Sequence, residues 1–204
     1  MNNALDNILG RIEEAQKNNR KLLLVIDGKC GSGKTTLSER LGERYGCNVF
    51  HIDDFYLPIV MQTPEVMKKP GGNINYDRFI AEIMAPLTSD SAVVYRPFLC
   101  MEQEYAPGVS FKRTGVNVIE GTYSCHPRLR EIYAKLMGWE VITLFMDIDD
   151  RNQRDRVRRR VGERRFKLFE DKWIPREREY FSAYSVREYC DYSIPGTDDS
   201  ILAI

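Results

Sequence analysis

Apolar residues recur along this chain with two alternating periods. Leu5, Ile8, Leu9 and Ile12 stand at helical spacing in a polar N-terminal stretch, which predicts an amphipathic helix within residues 1–19. Leu22 to Ile26 is a continuous apolar run of strand length, as in a buried parallel strand, and Leu37, Leu41 and Tyr45 then repeat every four residues, predicting a helix from about Thr35. A second strand is expected at Cys47 to Ile52, ending at Asp53-Asp54. Residues 55–75 carry no period but contain Pro58, Pro64, Pro70 and Gly71-Gly72. Loops of that length are uncommon in compact domains and often cover substrates. A helix follows over Tyr76 to Leu87, with Phe79, Ile80, Ile83 and Met84 as its stripe. Further strands are predicted at Ala92 to Tyr95, Val116 to Ile119 and Val141 to Met146, with a helix around Pro127 to Met137. Trp173, Tyr180, Phe181 and Tyr184 have helical spacing and read as packing groups.

Strand, helix and strand in repetition indicate an α/β layered fold with a mainly parallel sheet, whose ligands collect at the carboxyl ends of the strands. Three of those ends are acidic: Asp53-Asp54, Glu120, and Asp147 with Asp149 and Asp150. At 204 residues and 43% hydrophobic content the chain suits one domain, 1–204, with residues 151–172 as a lid region inside it. Thirty basic and thirty acidic residues cancel, so no global field argues for nucleic acid or a membrane. Five scattered cysteines, never two residues apart, suit a reduced cytoplasmic protein, and neither a signal peptide nor a membrane-length apolar run is expected.

Between the first strand and its helix lies Gly28-Lys29-Cys30-Gly31-Ser32-Gly33-Lys34-Thr35, the phosphate-binding loop pattern. Gly28, Gly31 and Gly33 allow successive amide hydrogens to point inward as an anion nest, with Ser32 and Thr36 completing the nucleotide-binding set. Lys34 reaches the β and γ phosphates as a point charge, Thr35 offers a hydroxyl to magnesium, and the helix N-terminus adds partial positive charge.

Asp53, at the mouth of the sheet beside Phe55 and Tyr56, is the candidate base that orients an acceptor hydroxyl and takes its proton. Asp54 would point elsewhere if the strand persisted, either capping the next segment or reaching a magnesium-bound water. Glu120, ending an apolar strand before Gly121, is placed to hold magnesium through water. Eight arginines lie between Arg151 and Arg165, in a position to fold over the strand ends and neutralise a transferred phosphoryl group. His51 reads as a core histidine, and His126, before Pro127, either donates to the acceptor or caps the turn.

GKCGSGKTT, HIDDFYLP, the helix start Tyr76-Asp77-Arg78-Phe79, VIEGTYSCHP and the arginine-rich segment together resemble the uridine kinase and phosphoribulokinase group of phosphate-loop kinases, near the nicotinamide riboside kinases. The resemblance covers roughly residues 20–197. It implies a three-layer fold with a five-stranded, mainly parallel sheet and an arginine-rich lid, with ATP and magnesium as the donor system. The acceptor would be a small hydroxylated molecule, with room for a homo-oligomer. Carried over, Lys34 and Thr35 hold phosphates and magnesium, Asp53 is the base, Glu120 helps hold magnesium, and Arg156, Arg159 or Arg160 serves in the lid. Tyr56, Tyr76, Arg96 and His126 become acceptor-pocket candidates. Uridine kinases usually carry His-Pro-Asp before the helix that starts here at Tyr76, and Tyr-Asp-Phe where this chain has Tyr95-Arg96-Pro97-Phe98. An arginine there suits a carboxylate or phosphate on the acceptor.

The leading expectation is therefore an ATP-dependent kinase of a small alcohol, with a nucleoside as the favoured class. A regulatory ATPase, and a kinase of pantothenate, glycerate or a sugar phosphate, are the alternatives. A polynucleotide-end kinase would rest on the arginine run alone, and the guanine-binding Asn-Lys-X-Asp motif does not occur.

Overall fold

The computed structural model describes residues 3–196. Residues 1, 2 and 197–204, which fall within the expected 1–204 domain, the 1–19 helix and the end of the 20–197 resemblance, lie outside the described residues. Strands in chain order are β1 (Lys21–Gly28), β2 (Asn48–His51), β3 (Val93–Tyr95), β4 (Phe98–Leu99), β5 (Glu104–Tyr105), β6 (Val109–Phe111), β7 (Val116–Glu120), β8 (Trp139–Asp147) and β9 (Tyr192–Pro195). Helices are α1 (Asn3–Lys17), α2 (Lys34–Tyr45), α3 (Pro64–Met67), α4 (residues 76–88), α5 (Pro127–Tyr133), α6 (Asp150–Val161), α7 (residues 163–184) and α8 (Val186–Tyr189).

The central sheet runs β2-β7-β1-β8-β9, and every pairing within it is parallel. Strand β1 sits in the middle, with Leu24 opposite both Val118 of β7 and Ile142 of β8. Because side chains alternate along a strand, Leu22, Leu24 and Ile26 enter one core with Leu5, Ile8 and Ile12 of α1 and Leu37 and Leu41 of α2. Leu23 and Val25 enter the other, with Phe79 and Ile83 of α4, Leu129 of α5 and Tyr180 of α7. The result is three layers, and the continuous apolar run in β1 is explained by burial on both faces.

One predicted strand is displaced. Residues 93–95 do not join the parallel sheet; they pair antiparallel with β6 in a two-stranded ribbon, and β4 and β5 form a second. Val94 is 59% exposed between buried Val93 and Tyr95, so this short run buries only one of its two faces, as a ribbon does. The fifth strand of the sheet is instead β9, which the sequence conceals because it is four residues long, ends in Pro195 and buries only Ile194.

Two long helices each contain a widened π-turn, at Ile80–Met84 and at Phe169–Trp173. Each stands just before a proline, Pro86 and Pro175, whose missing N–H and bulky ring disturb the preceding turn. Residues 151–172 form α6 and the start of α7, divided at Gly162, whose φ of 78° few side chains adopt. Residues 55–75 are not a bare spacer either: they contain α3, capped by Thr63, and are closed by a bridge between Tyr56 and Ile74.

Candidate active site

The carboxyl ends of β1, β2 and β7 converge on one cleft. The phosphate loop leaves β1 with Gly28, Gly31 and Gly33 at φ values of 141°, 78° and 98°, and Gly33 is the N-cap of α2. A Cβ at Gly28 would run into the backbone of Met146, so close strand approach as well as torsion demands glycine there. Lys34 is buried and donates from Nζ to the carbonyls of Gly28 at 2.8 Å and Lys29 at 3.0 Å. Ser32 is buried, whereas Thr35 and Thr36 are exposed at the mouth of the nest.

Strand β2 ends at His51, and the chain turns at once into a single 3-10 turn, Ile52–Phe55. Strand alternation therefore does not govern Asp53 and Asp54. Asp54 accepts a 2.7 Å hydrogen bond from the Tyr95 hydroxyl, and its backbone carbonyl accepts from Arg78 at 3.2 Å. Asp53 is exposed to water, and a Cβ on Gly121 would lie 3.5 Å from its Oδ1. Burial by the surrounding walls, then the charge of Glu120, pushes its carboxyl up to about 6 against the pull of Lys34.

Glu120 is 5% exposed, and its Oε1 accepts from the Thr35 hydroxyl at 3.1 Å. The same oxygen lies 2.6 Å from Nδ1 of His51. That hydrogen bond, opposed by burial, raises the His51 pKa. His51 is thus not a core histidine: its side chain is 34% exposed and serves Glu120. A hydroxyl and a buried carboxylate in contact beside a phosphate nest are the hard oxygen donors that magnesium takes. Among the described residues no cluster of three or more His, Cys, Asp and Glu side chains could hold a metal by itself, so Thr35 and Glu120 would share a cation with phosphate oxygens and water.

The other candidates separate into two groups. Tyr56 is half-buried, with its ring 6.0 Å from Trp173, so it belongs to the wall beside Asp53. Arg156 donates to the carbonyls of Gly31 at 3.3 Å and Gly196 at 2.9 Å, so it is tied to the phosphate loop. Arg159 and Arg160 are exposed, the first on the carbonyl of Asp155 and the second over the ring of Phe169. Arg96 donates to the carbonyls of Tyr105 and Ala106 at 2.8 and 2.9 Å. His126 is the N-cap of α5: its Nδ1 accepts from the Arg128 amide at 3.3 Å. Its ring stacks on Tyr76 at 4.2 Å and hydrogen-bonds the Pro70 carbonyl. With both nitrogens used and burial pushing its pKa down to about 4, His126 fastens the 55–75 segment as a neutral ring.

Three residues at the centre escape sequence reasoning. Asp27, fully buried at the end of β1, accepts from the amides of Gly28, Tyr123 and Cys125 and from the Tyr180 hydroxyl. It joins the phosphate loop to the turn after β7, where Tyr123 is held at a φ of 87°. Burial nonetheless raises its pKa. A charged residue inside an apolar run just before Gly28 was the visible signal. Gln153 and Glu177, both buried and both touching Cys30, gave none, because their contacts span more than a hundred residues.

No family model matches this chain. A curated relative is the deoxyguanosine kinase of Dictyostelium discoideum, 24% identical over 167 residues, or 78% of this chain. The chain spans 58% of the length of that relative. Among solved structures, a possible uridine kinase from Bacillus stearothermophilus superposes with a TM-score of 0.62 and 16% identity, covering 92% of this chain and 99% of the other. A candidate fructose transport system kinase from a Silicibacter species gives 0.67 and 19%, with 92% and 98% covered. D-glycerate 3-kinase from Cryptococcus neoformans gives 0.52 and 14%, with 83% and 84% covered. The fold is that of the uridine kinase-like and related phosphate-loop kinases.

Proposed function

We propose that this protein transfers the γ-phosphoryl group of ATP to a hydroxyl of a small molecule, with a nucleoside as the favoured acceptor class. The observation that carries the reading is Asp53: a water-accessible carboxylate just past the end of β2, near Lys34 and Glu120 and against Gly121, with its pKa raised to about 6. A general base works best with a pKa near the working pH, and here it stands where an acceptor hydroxyl would face a γ-phosphate held over the nest.

In this reading the backbone of residues 28–35 and the Lys34 ammonium hold the triphosphate in line. Asp53 accepts the hydroxyl proton as the new oxygen–phosphorus bond forms and ADP departs. Thr35 and Glu120 would hold magnesium, with His51 fixing the Glu120 carboxylate. When bound, the metal neutralises charge on the β and γ phosphates. Arg156 lies against the loop, and exposed Arg159 and Arg160 are the remaining lid candidates. Tyr56 lines the acceptor side; Tyr76 and His126 support it from behind, and Arg96 is released from that role. Nucleoside, sugar and glycerate kinases among the similar proteins support a small alcohol as acceptor and leave its class to experiment.

The test is ATP consumption with magnesium across nucleosides, deoxynucleosides, nicotinamide riboside, pantothenate, glycerate and sugars, with Asp53→Asn alongside. Turnover should require one acceptor class and fall by about 10²–10⁴ in Asp53→Asn, the range of general-base effects, with ATP affinity retained. Hydrolysis independent of any acceptor would support a regulatory ATPase instead.

A further inference from the structure

Helix α7 comes from the far end of the chain, yet its C-terminal half grips the phosphate loop. Glu177 is 3% exposed, and its Oε2 accepts from the Cys30 amide at 2.9 Å. Its Oε1 accepts from Nε2 of Gln153, a fully buried residue of α6. The same Nε2 faces the Cys30 carbonyl at 3.2 Å and its sulfur at 3.3 Å. Both ends of the Cys30 residue are therefore held by side chains from other elements. Three residues on, and so on the same face of α7, Tyr180 donates to Asp27 at 2.8 Å, holding the strand end just before the loop.

A buried carboxylate is costly unless its hydrogen bonds are made, and burial accordingly raises the Glu177 pKa. The Cys30 amide, Lys34 and Gln153 offset part of that cost, but the carboxylate would still repel phosphates held in the nest. A group kept there against both effects has a positional use. The peptide from Lys29 to Cys30 leads into Gly31, Ser32 and Gly33, so fixing the Cys30 amide sets the directions in which the following amides point.

We infer that Glu177 is the positioning residue of the phosphate loop: its carboxylate, oriented by Gln153, holds the Cys30 amide so that the loop stays shaped for a nucleotide phosphate chain. The inference rests on the nucleotide-binding part of the function proposed above. Glu177 needs no contact with nucleotide; it acts through the backbone. The side chain of Gln would fill the same space and could still accept from Cys30. Its amide hydrogens would then face Gln153, whose amide must turn over to present the unpartnered Oε1 as acceptor, at the cost of the hydrogen bond from Nε2 to the Cys30 carbonyl.

Binding of magnesium ADP is measured by calorimetry on the full chain as native protein, Glu177→Ala and Glu177→Gln, with the thermal transition of each recorded without nucleotide. Glu177→Ala should weaken binding about tenfold, as expected for a lost charge-assisted hydrogen bond, and Glu177→Gln, which keeps an acceptor for the Cys30 amide, should recover part of that loss. In turnover assays, the Ala variant should raise the KM for ATP more than it lowers kcat, the signature of lost ground-state binding. Native affinity in Glu177→Ala, or a Gln variant as weak as the Ala variant, overturns the inference. If Glu177→Ala does not fold, Gln153→Ala decides: it removes the donor that orients the carboxylate and should weaken binding several-fold, and unchanged binding overturns the inference. Failure of the native protein to bind magnesium ADP would instead count against the nucleotide reading itself.

Discussion

Asp53 carries opposite requirements for stability and chemistry. Its folded pKa, about 6, lies above the usual 3.8, so the folded chain binds this proton more tightly than the unfolded one. The stability this contributes is complete below 3.8 and is lost as pH rises through 6. At pH 8 the ionised carboxylate is therefore a liability. The full shift would correspond to about 3 kcal/mol, but Asp53 is open to water and screening reduces that, so Asp53→Asn is expected to gain about 1 kcal/mol in urea unfolding at pH 8. The gain should vanish near pH 4. If the native protein is the kinase proposed above, its kcat/KM should climb about tenfold per unit below pH 6 and level off above it, since only the carboxylate accepts a proton. A rate that is flat from pH 5 to 7 would remove Asp53 from the base role, and an Asn variant less stable than native at pH 8 would contradict the raised pKa. The positions of the phosphate-loop residues and Asp53 at the mouth of the sheet were legible because each sits within a few residues of its strand end. The partners of Arg96 and His126 were not legible, because they include backbone carbonyls of residues 70, 105 and 106, although capping by His126 was one of the two roles its place before Pro127 offered.

At the scale of elements, the β1, loop and α2 unit is readable because its signals are local: a doubly buried strand, three positive-φ glycines and a helix beginning at Lys34. Strand β9 is unreadable for the opposite reason. Its place depends on pairing with β8, Leu144 opposite Tyr192 and Met146 opposite Ile194, and on Gly196, which packs so tightly on Ser32 that a Cβ would strike its backbone. Helix α6 is likewise joined to the loop at Gly31, where a Cβ would lie 3.3 Å from Cγ2 of Val157. Gly31→Ala therefore combines a left-handed φ of 78° with a crowded contact between elements. A loss of about 1–3 kcal/mol is expected in equilibrium unfolding, with weaker nucleotide binding. A variant as stable as native would mean that α6 and the loop yield to each other easily, and that their packing does not define the nest.

Across the whole molecule, the phosphate loop comes from the first part of the chain and is held in place by the last. Asp27, Cys30 and Gly31 of the first strand–loop unit are held by Tyr180, Glu177, Gln153 and Arg156, all from beyond residue 150. The loop is thus a junction of elements that meet only when the entire domain has folded, and a ligand bound there should stabilise the entire domain. Magnesium ADP at a hundred times its Kd is expected to add about 2.7 kcal/mol to unfolding, by mass action. For a chain of this size that is a rise of roughly 5–11 °C in Tm. Lys34→Ala removes the ammonium that otherwise spans the Gly28 and Lys29 carbonyls, and should lose most of the rise at the same ligand concentration. A full rise in Lys34→Ala would place the nucleotide elsewhere on the molecule. A native rise confined to an early partial transition would instead show that the loop and its distant helices come apart before the sheet does, contrary to the way their buried contacts join them.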